Sequence, residues 1–284
     1  MRLLAGLAAI ALLACSSDPK TPAAAATPLR VSMIPTTDPG KILRESEPLK
    51  SRLQEASGAP IDLTIPANYA AVVEALVADK LDLAYLGGFT YVQARKRAGV
   101  EPLVQRDRDQ AFHSVFVVPV ASTIATLTDL KGHSFAFGDV NSTSGHLMPE
   151  YYMRQNNVDP EVISRAIYTG GHDATLLAVA NGKVDAGAMD EAVFHKMTTE
   201  GKVDAKSVKV FYTTPPFFDY VWVARKGLPA ELQKKIAEVF LGLDEAKAED
   251  KQLLDLLAAK KYVRADDASY EKLRQAATQA GLLK

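Results

Sequence analysis

The chain has 284 residues, with 33 Lys and Arg against 34 Asp and Glu and a formal charge of −1. So even a balance leaves no basic surface for a nucleic acid or other polyanion. The single cysteine excludes a disulfide within the chain. In chain order, Arg2 and the apolar residues 3–14 have the make-up and length of a signal-peptide core, too short to span a bilayer as a helix. Residues 16–27 are rich in Ala, Pro, Thr and Ser with no periodicity, and predict a flexible tether. No later stretch is apolar for long enough to cross a membrane.

The tetrapeptide Leu12-Leu13-Ala14-Cys15 resembles the lipobox of bacterial lipoproteins. That resemblance implies cleavage before Cys15, which becomes the lipidated N-terminus. The expected plan is a signal peptide over 1–14, a lipidated tether over 15–27 and a folded body from residue 28 onward.

In the body, short apolar segments alternate with amphipathic ones. Strands are predicted at 29–34, 60–65 and 81–86, with helices at 41–56, at 69–78 behind Asn68 as a cap, and from Gly88 to about Arg97. Strands at 101–105 and 112–120 follow. The rhythm then restarts: strands at 133–137, 166–168, 184–189 and 208–212, helices at 144–155, 173–181 and 192–199. Residues 220–224 read as a strand returning to the first unit, and 229–283 as mostly helical. Such alternation predicts an α/β fold of parallel sheets covered by helices on both faces, with ligands bound at loops beyond the carboxyl ends of the strands.

Three such loops carry unusual residues. In Asn141-Ser142-Thr143-Ser144-Gly145 a hydroxyl-rich turn opens a helix. Unpaired N–H groups at a helix start bind anions without Arg or Lys, and three hydroxyls add donors; one of them is equally able to serve only as an N-cap. Pro149 removes a helical hydrogen bond and predicts a distorted first turn. In Gly170-Gly171-His172-Asp173, the glycines permit close approach and His172 is a candidate donor at a helix start. In Gly87-Gly88-Phe89-Thr90, Thr90 is either a hydroxyl donor or a cap.

Together and in this order, the three loops resemble the phosphate/phosphite/phosphonate-binding proteins of bacterial ABC transporters. The matching stretches are 82–94, 139–152 and 171–190, with weaker similarity from Leu29 to about Gly227. The resemblance implies a two-lobed periplasmic-binding-protein fold (type II), each lobe a sheet flanked by helices, with two hinge crossings. Lobe one is expected over 28–117 plus 218–284 and lobe two over 118–217. It also implies that Ser142, Thr143, Ser144 and His172 hold the phosphorus oxygens, that Tyr69 lines the cleft, and that Asp219 enters the strand returning to lobe one. The expected function is capture of a small phosphorus oxyanion (phosphite, phosphate or a small alkylphosphonate) for an ABC importer by a lipid-anchored monomer. That monomer would sit in the periplasm or on the outer face of the cytoplasmic membrane, without cofactor, metal or catalysis. A sensor subunit and a phosphoester hydrolase using His172 and Asp173 are the alternatives.

The chain departs from aminophosphonate-binding members in two places. Leu86 stands where they have tyrosine, and Ala192, beside Glu191, where they have the glutamate that holds the ligand's ammonium group. The departure points to a smaller ligand. Asp219 sharpens this: a carboxylate repels an oxyanion unless a proton lies between them. Phosphorus monoanions carry that proton and sulfate does not.

Overall fold

The structure is a computed structural model and describes residues 26–283. Cys15, the expected signal peptide and most of the expected tether lie outside the described residues. Among the described residues no helix is long and apolar enough to cross a membrane.

Two mixed sheets organise the chain. The first has the order β11-β4-β10-β3-β1-β2, built from β1 (Leu29–Met33), β2 (Ile61–Thr64), β3 (Leu83–Leu86), β4 (Glu101–Arg106), β10 (Val221–Ala224) and β11 (Tyr262–Arg264). The second has the order β7-β6-β8-β5-β9, from β5 (Ser114–Pro119), β6 (Ser134–Phe137), β7 (Arg165–Tyr168), β8 (Ala186–Asp190) and β9 (Val208–Thr213). Helices α3 (Tyr69–Val77), α4 (Gly88–Ala98), α5 (Met148–Gln155), α6 (His172–Ala180) and α7 (Glu191–Thr199) follow β2, β3, β6, β7 and β8.

The sheets are not purely parallel, contrary to the alternation rule. Strands linked by helical crossovers do run parallel: β1 with β2 and β3, β6 with β7 and β8. The strands that arrive from the other sheet, β5 and β10, run antiparallel to both neighbours, because no crossover helix turns the chain around before they pair. The expected lobe boundary after residue 117 also moves. All of Ser114–Pro119 pairs with β8 and β9, so this strand belongs wholly to the second lobe.

Three local departures have plain causes. The predicted helix 41–56 is two, α1 (Pro39–Glu45) and α2 (Glu47–Ser57), broken at Ser46. Pro48 in the first turn of α2 has no N–H to bond the Arg44 carbonyl, and its ring clashes with that carbonyl, so α1 cannot run on through it. In the tail expected to be mostly helical, Tyr262–Arg264 form β11 on the edge of β4. At residues 143–147 the chain makes a π-helical turn before α5, the distortion that Pro149 predicts.

The chain crosses between sheets twice, at 107–113 and 214–220. The crossings are pinned together by a two-way bridge, Phe112 N–H to Phe217 O at 2.8 Å and Phe217 N–H to Phe112 O at 3.0 Å, and by Asp219 N–H to Asp109 O at 3.0 Å. Beneath them Arg106 and Asp109 form a buried ion pair. The core of the first lobe closes around Trp222, packed between Tyr85 and Phe240.

Candidate functional site

The site begins at Pro149. A regular helix would bond its N–H to the Gly145 carbonyl, but proline has none. That carbonyl accepts the Gly138 N–H instead, at 2.8 Å, and Leu147 N–H reaches back to Ser142 O at 3.0 Å to make the π turn. The loop is thereby folded against the end of β6. Ser142 caps it, its Oγ accepting Gly145 N–H at 3.0 Å. Gly145 has to be glycine: a Cβ there would lie 2.9 Å from Ser142 Oγ, 3.0 Å from His172 Cε1 and 3.1 Å from Gly138 Cα. The bare backbone lets His172 lie against the loop.

His172 opens α6 and is fully buried. Its Nδ1 accepts the Asp190 N–H at 3.3 Å, so in the neutral ring the proton sits on Nε2. Burial lowers its pKa, against the nearby carboxylates of Asp190, Asp173 and Asp139. The ring is therefore a neutral N–H donor. Gly170, ahead of it, sits at φ +84°, where a side chain would be strained.

The first lobe contributes three groups. Tyr69 starts α3, is buried, and has a hydroxyl pushed well up by burial and then by Asp139, Asp219 and Asp190. The Phe89 N–H of α4 donates to Thr143 Oγ1 at 3.0 Å, and Gly88 N–H to Asp219 Oδ1 at 2.9 Å. Asp219 is buried in the second crossing, and its pKa is pushed up to about 7 by burial. The Gly88 N–H and the Thr143 hydroxyl oppose that shift, while Asp109 and Asp190 reinforce it.

Of the predicted residues, Ser142, Thr143, Ser144, His172, Tyr69 and Asp219 come together between the lobes, all at most 2% exposed. Thr90 is buried too, and its hydroxyl donates to the Gly87 carbonyl of its own helix start at 2.9 Å; from the same start the Gly88 and Phe89 N–H groups reach Asp219 and Thr143. Three oxygens in this set are buried without a protein hydrogen-bond partner: Tyr69 Oη, Ser144 Oγ and Asp219 Oδ2. Two are donors and one is an acceptor at its ionised form. Unpaired buried polar atoms are costly, and these are matched to an oxyanion that also carries a proton. No Lys or Arg belongs to the set; the anion would meet N–H and O–H dipoles only.

Two carboxylates escaped the sequence reading. Asp139 accepts Asn141 N–H at 2.7 Å and, across the cleft, Tyr69 N–H at 3.3 Å, tying the loop to α3. Asp190 caps α7 through Ala192 and Val193 N–H and accepts the Tyr220 hydroxyl at 3.0 Å. An Asp between a strand and a helix was the available signal for both, but it is also the signal of an ordinary cap. Other bonds span the cleft: Gln93 to Asn141 at 3.0 Å, His172 N–H to Thr36 O at 3.0 Å, and Lys272 to the Tyr152 hydroxyl at 3.0 Å.

A family profile described as the periplasmic substrate-binding protein of phosphonate ABC transporters matches residues 31–270. A probable ABC-transporter phosphite-binding protein, PhnD1, of Prochlorococcus marinus (strain MIT 9301) is 32% identical over 87% of this chain and 88% of that protein. The phosphate-import protein PhnD of Mycolicibacterium smegmatis is 29% identical over 82% of this chain and 79% of its own. Among solved structures, the Prochlorococcus marinus PhnD1 complex with methylphosphonate superimposes with a TM-score of 0.84 at 31% identity, covering 89% of this chain and 98% of that one. The binding component of a Pseudomonas aeruginosa phosphonate transporter gives 0.81 at 27% identity, covering 89% and 86%.

Proposed function

Because the chain belongs to the phosphonate family of periplasmic ABC-transporter substrate-binding proteins and so captures a small phosphorus oxyanion for import, we propose that its ligand is the monoanion of phosphite, phosphate or a small alkylphosphonate, held by dipoles and by one shared proton. The ligand oxygens take the amides of Thr143 and Ser144, the hydroxyls of Ser142 and Ser144, His172 Nε2–H and the Tyr69 hydroxyl. The ligand's P–OH donates to Asp219 Oδ2. The observation that carries this reading is Asp219: a buried carboxylate with one oxygen satisfied by Gly88 and one free, among donors suited to an anion. Sulfate brings no proton at neutral pH and leaves two negative charges facing each other.

Among the described residues, the two carboxylates beside Ala192 are both engaged elsewhere. Asp190, the carboxylate nearest to His172, is occupied by Ala192, Val193 and Tyr220, and Glu191 reaches Arg108 at 3.4 Å. An aminoalkylphosphonate therefore gains nothing from its amine. The protein works as a binding subunit with no catalytic step, tethered by a lipid on Cys15 outside the cytoplasmic membrane. It presents the ligand-closed lobes to the transporter's membrane-embedded permease. Calorimetric titration with phosphite, phosphate, methylphosphonate, 2-aminoethylphosphonate and sulfate tests this. The first three should include the tightest ligand and sulfate should give no heat of binding. Sulfate binding on a par with phosphite would sink the shared-proton reading.

A further inference from the structure

Besides the anion site, the described residues form a second, half-open cavity between the lobes, of about 480 Å³. Met33 and Ile42 line it from the first lobe, and Leu177, Val193 and Met197 from the second. None of Tyr69, Ser142, Thr143, Ser144 or His172 reaches it. Ile34, Tyr85, Asp190 and Tyr220 line it, and Asp190 and Tyr220 also touch His172 of the anion site. We propose that the Tyr220–Asp190 pair is a wall between the two spaces, and that this partition sets the largest phosphorus substituent the protein accepts. The proposal rests on the phosphorus-oxyanion reading above.

The pair is held from both sides. Tyr220 leaves the second crossing, and its hydroxyl donates to Asp190 Oδ2 at 3.0 Å while lying 3.4 Å from His172 Nε2. Its ring stacks on Tyr85 at 5.4 Å and 12°, meets Phe112 edge-on at 5.6 Å, and carries the Arg106 guanidinium 4.8 Å from its centroid. Asp190 ends β8 in the other lobe. Its Oδ1 is fixed by Ala192 N–H at 2.6 Å and Val193 N–H at 3.1 Å, and its own N–H by His172. The wall thus has one half on each lobe and exists only when the lobes are closed.

Its position matters because of how a tetrahedral ligand divides its four substituents. Oxygens go where donors and the Asp219 acceptor are. The remaining substituent, a hydrogen or a carbon, goes where no free donor is wasted. The surface that fits is Ile34, the Tyr85 ring and Tyr220, whose hydroxyl proton is already committed to Asp190. A hydrogen or methyl stops short of the wall, whereas a longer chain must displace a tyrosine packed on every side. Behind the wall the chamber, lined by Met33, Ile42 and Met197 beside charged side chains such as Lys41, Glu45 and Lys196, has room for an alkyl or aryl group.

The test is a titration of phosphite, methylphosphonate, butylphosphonate and phenylphosphonate into wild type, Tyr220→Ala and Asp190→Ala, with circular dichroism on each variant. Asp190→Ala removes half of the wall and leaves the Tyr220 ring in the core, so it carries the test if Tyr220→Ala does not fold. Wild type should prefer methyl- over butylphosphonate by about 100-fold or more, about 2.8 kcal/mol at 1.4 kcal/mol per tenfold. Either folded variant should shrink that ratio by about tenfold or more, even as it weakens binding of the small ligands. Wild type binding butylphosphonate as tightly as methylphosphonate overturns the partition, and so does an unchanged ratio in a folded variant. Failure of phosphite, phosphate and methylphosphonate all to bind wild type would overturn the oxyanion reading itself.

Discussion

The Gly145 carbonyl accepts the Gly138 N–H at 2.8 Å, the bond that Pro149 cannot make from within the helix. This backbone pair holds the anion loop against β6 and leaves a gap only wide enough for His172. Gly145→Ala should therefore uncouple the loop from the histidine. Ligand affinity is expected to fall by about two orders of magnitude, on the scale of one or two hydrogen bonds to a charged group, while far-ultraviolet circular dichroism stays unchanged. Wild-type affinity in the variant would show that the loop tolerates a wider turn.

The three hydroxyls of the loop differ in what they do, and their alanine variants should differ accordingly. Ser142 Oγ caps Gly145 N–H, so Ser142→Ala should cost about 1 kcal/mol of stability. Ser144 Oγ has no protein partner. Ser144→Ala should leave the melting temperature of the ligand-free protein unchanged or slightly raised, and weaken binding by about 1.5–3 kcal/mol. Equal stability losses without any binding loss would reduce both to structural caps.

Asp219→Asn replaces a proton acceptor with a group that can also donate. Phosphite and phosphate should weaken, and sulfate should gain relative to them by about tenfold or more, the size expected when one charge–charge repulsion of roughly 1–2 kcal/mol is removed. Binding should not vanish, because the loop amides remain. Unaltered rejection of sulfate would assign the discrimination to the shape of the site.

The same carboxylate gives two pH dependences. In the ligand-free protein its pKa lies at about 7, above the unfolded value, so the folded state binds the proton more tightly. That contribution is fully present below about pH 4 and is lost as pH rises through about 7. The melting temperature of Asp219→Asn minus that of wild type should therefore grow from pH 4 to pH 8. In the complex one proton lies between ligand and Asp219. Above the pH where both have lost theirs, the dissociation constant should rise about tenfold per pH unit. A flat affinity from pH 6 to 9 would contradict the shared proton.

Cys15→Ser should release the protein from membranes, since the thiol is the expected lipid attachment. Fractionation that leaves the variant in the membrane pellet would argue for another anchor.

Much of the site was legible in the sequence because it is local. A helix start is set by the residues within one turn of it, so Ser142 to Gly145 and His172 could be read as donors at strand-to-helix loops, and Pro149 announced the turn it distorts. The alternation of strands and helices likewise determined the α/β class. The tertiary structure decided whatever depends on partners far along the chain. The antiparallel β5 and β10, and the edge strand β11, follow from which sheet edge is open when they arrive, and local propensity carries no record of that. Thr90 could be read as a hydroxyl donor or a cap, and only the folded helix start puts its hydroxyl on the Gly87 carbonyl. Asp190 caps α7 and Asp139 turns the loop through Asn141 N–H, but only closure gives their remaining oxygens Tyr69 and Tyr220. Asp219 could be suspected from its place in the chain. Its raised pKa comes from burial beneath both lobes and from Asp109 and Asp190, 110 and 29 residues away, because desolvation is a property of the folded interior and not of the chain.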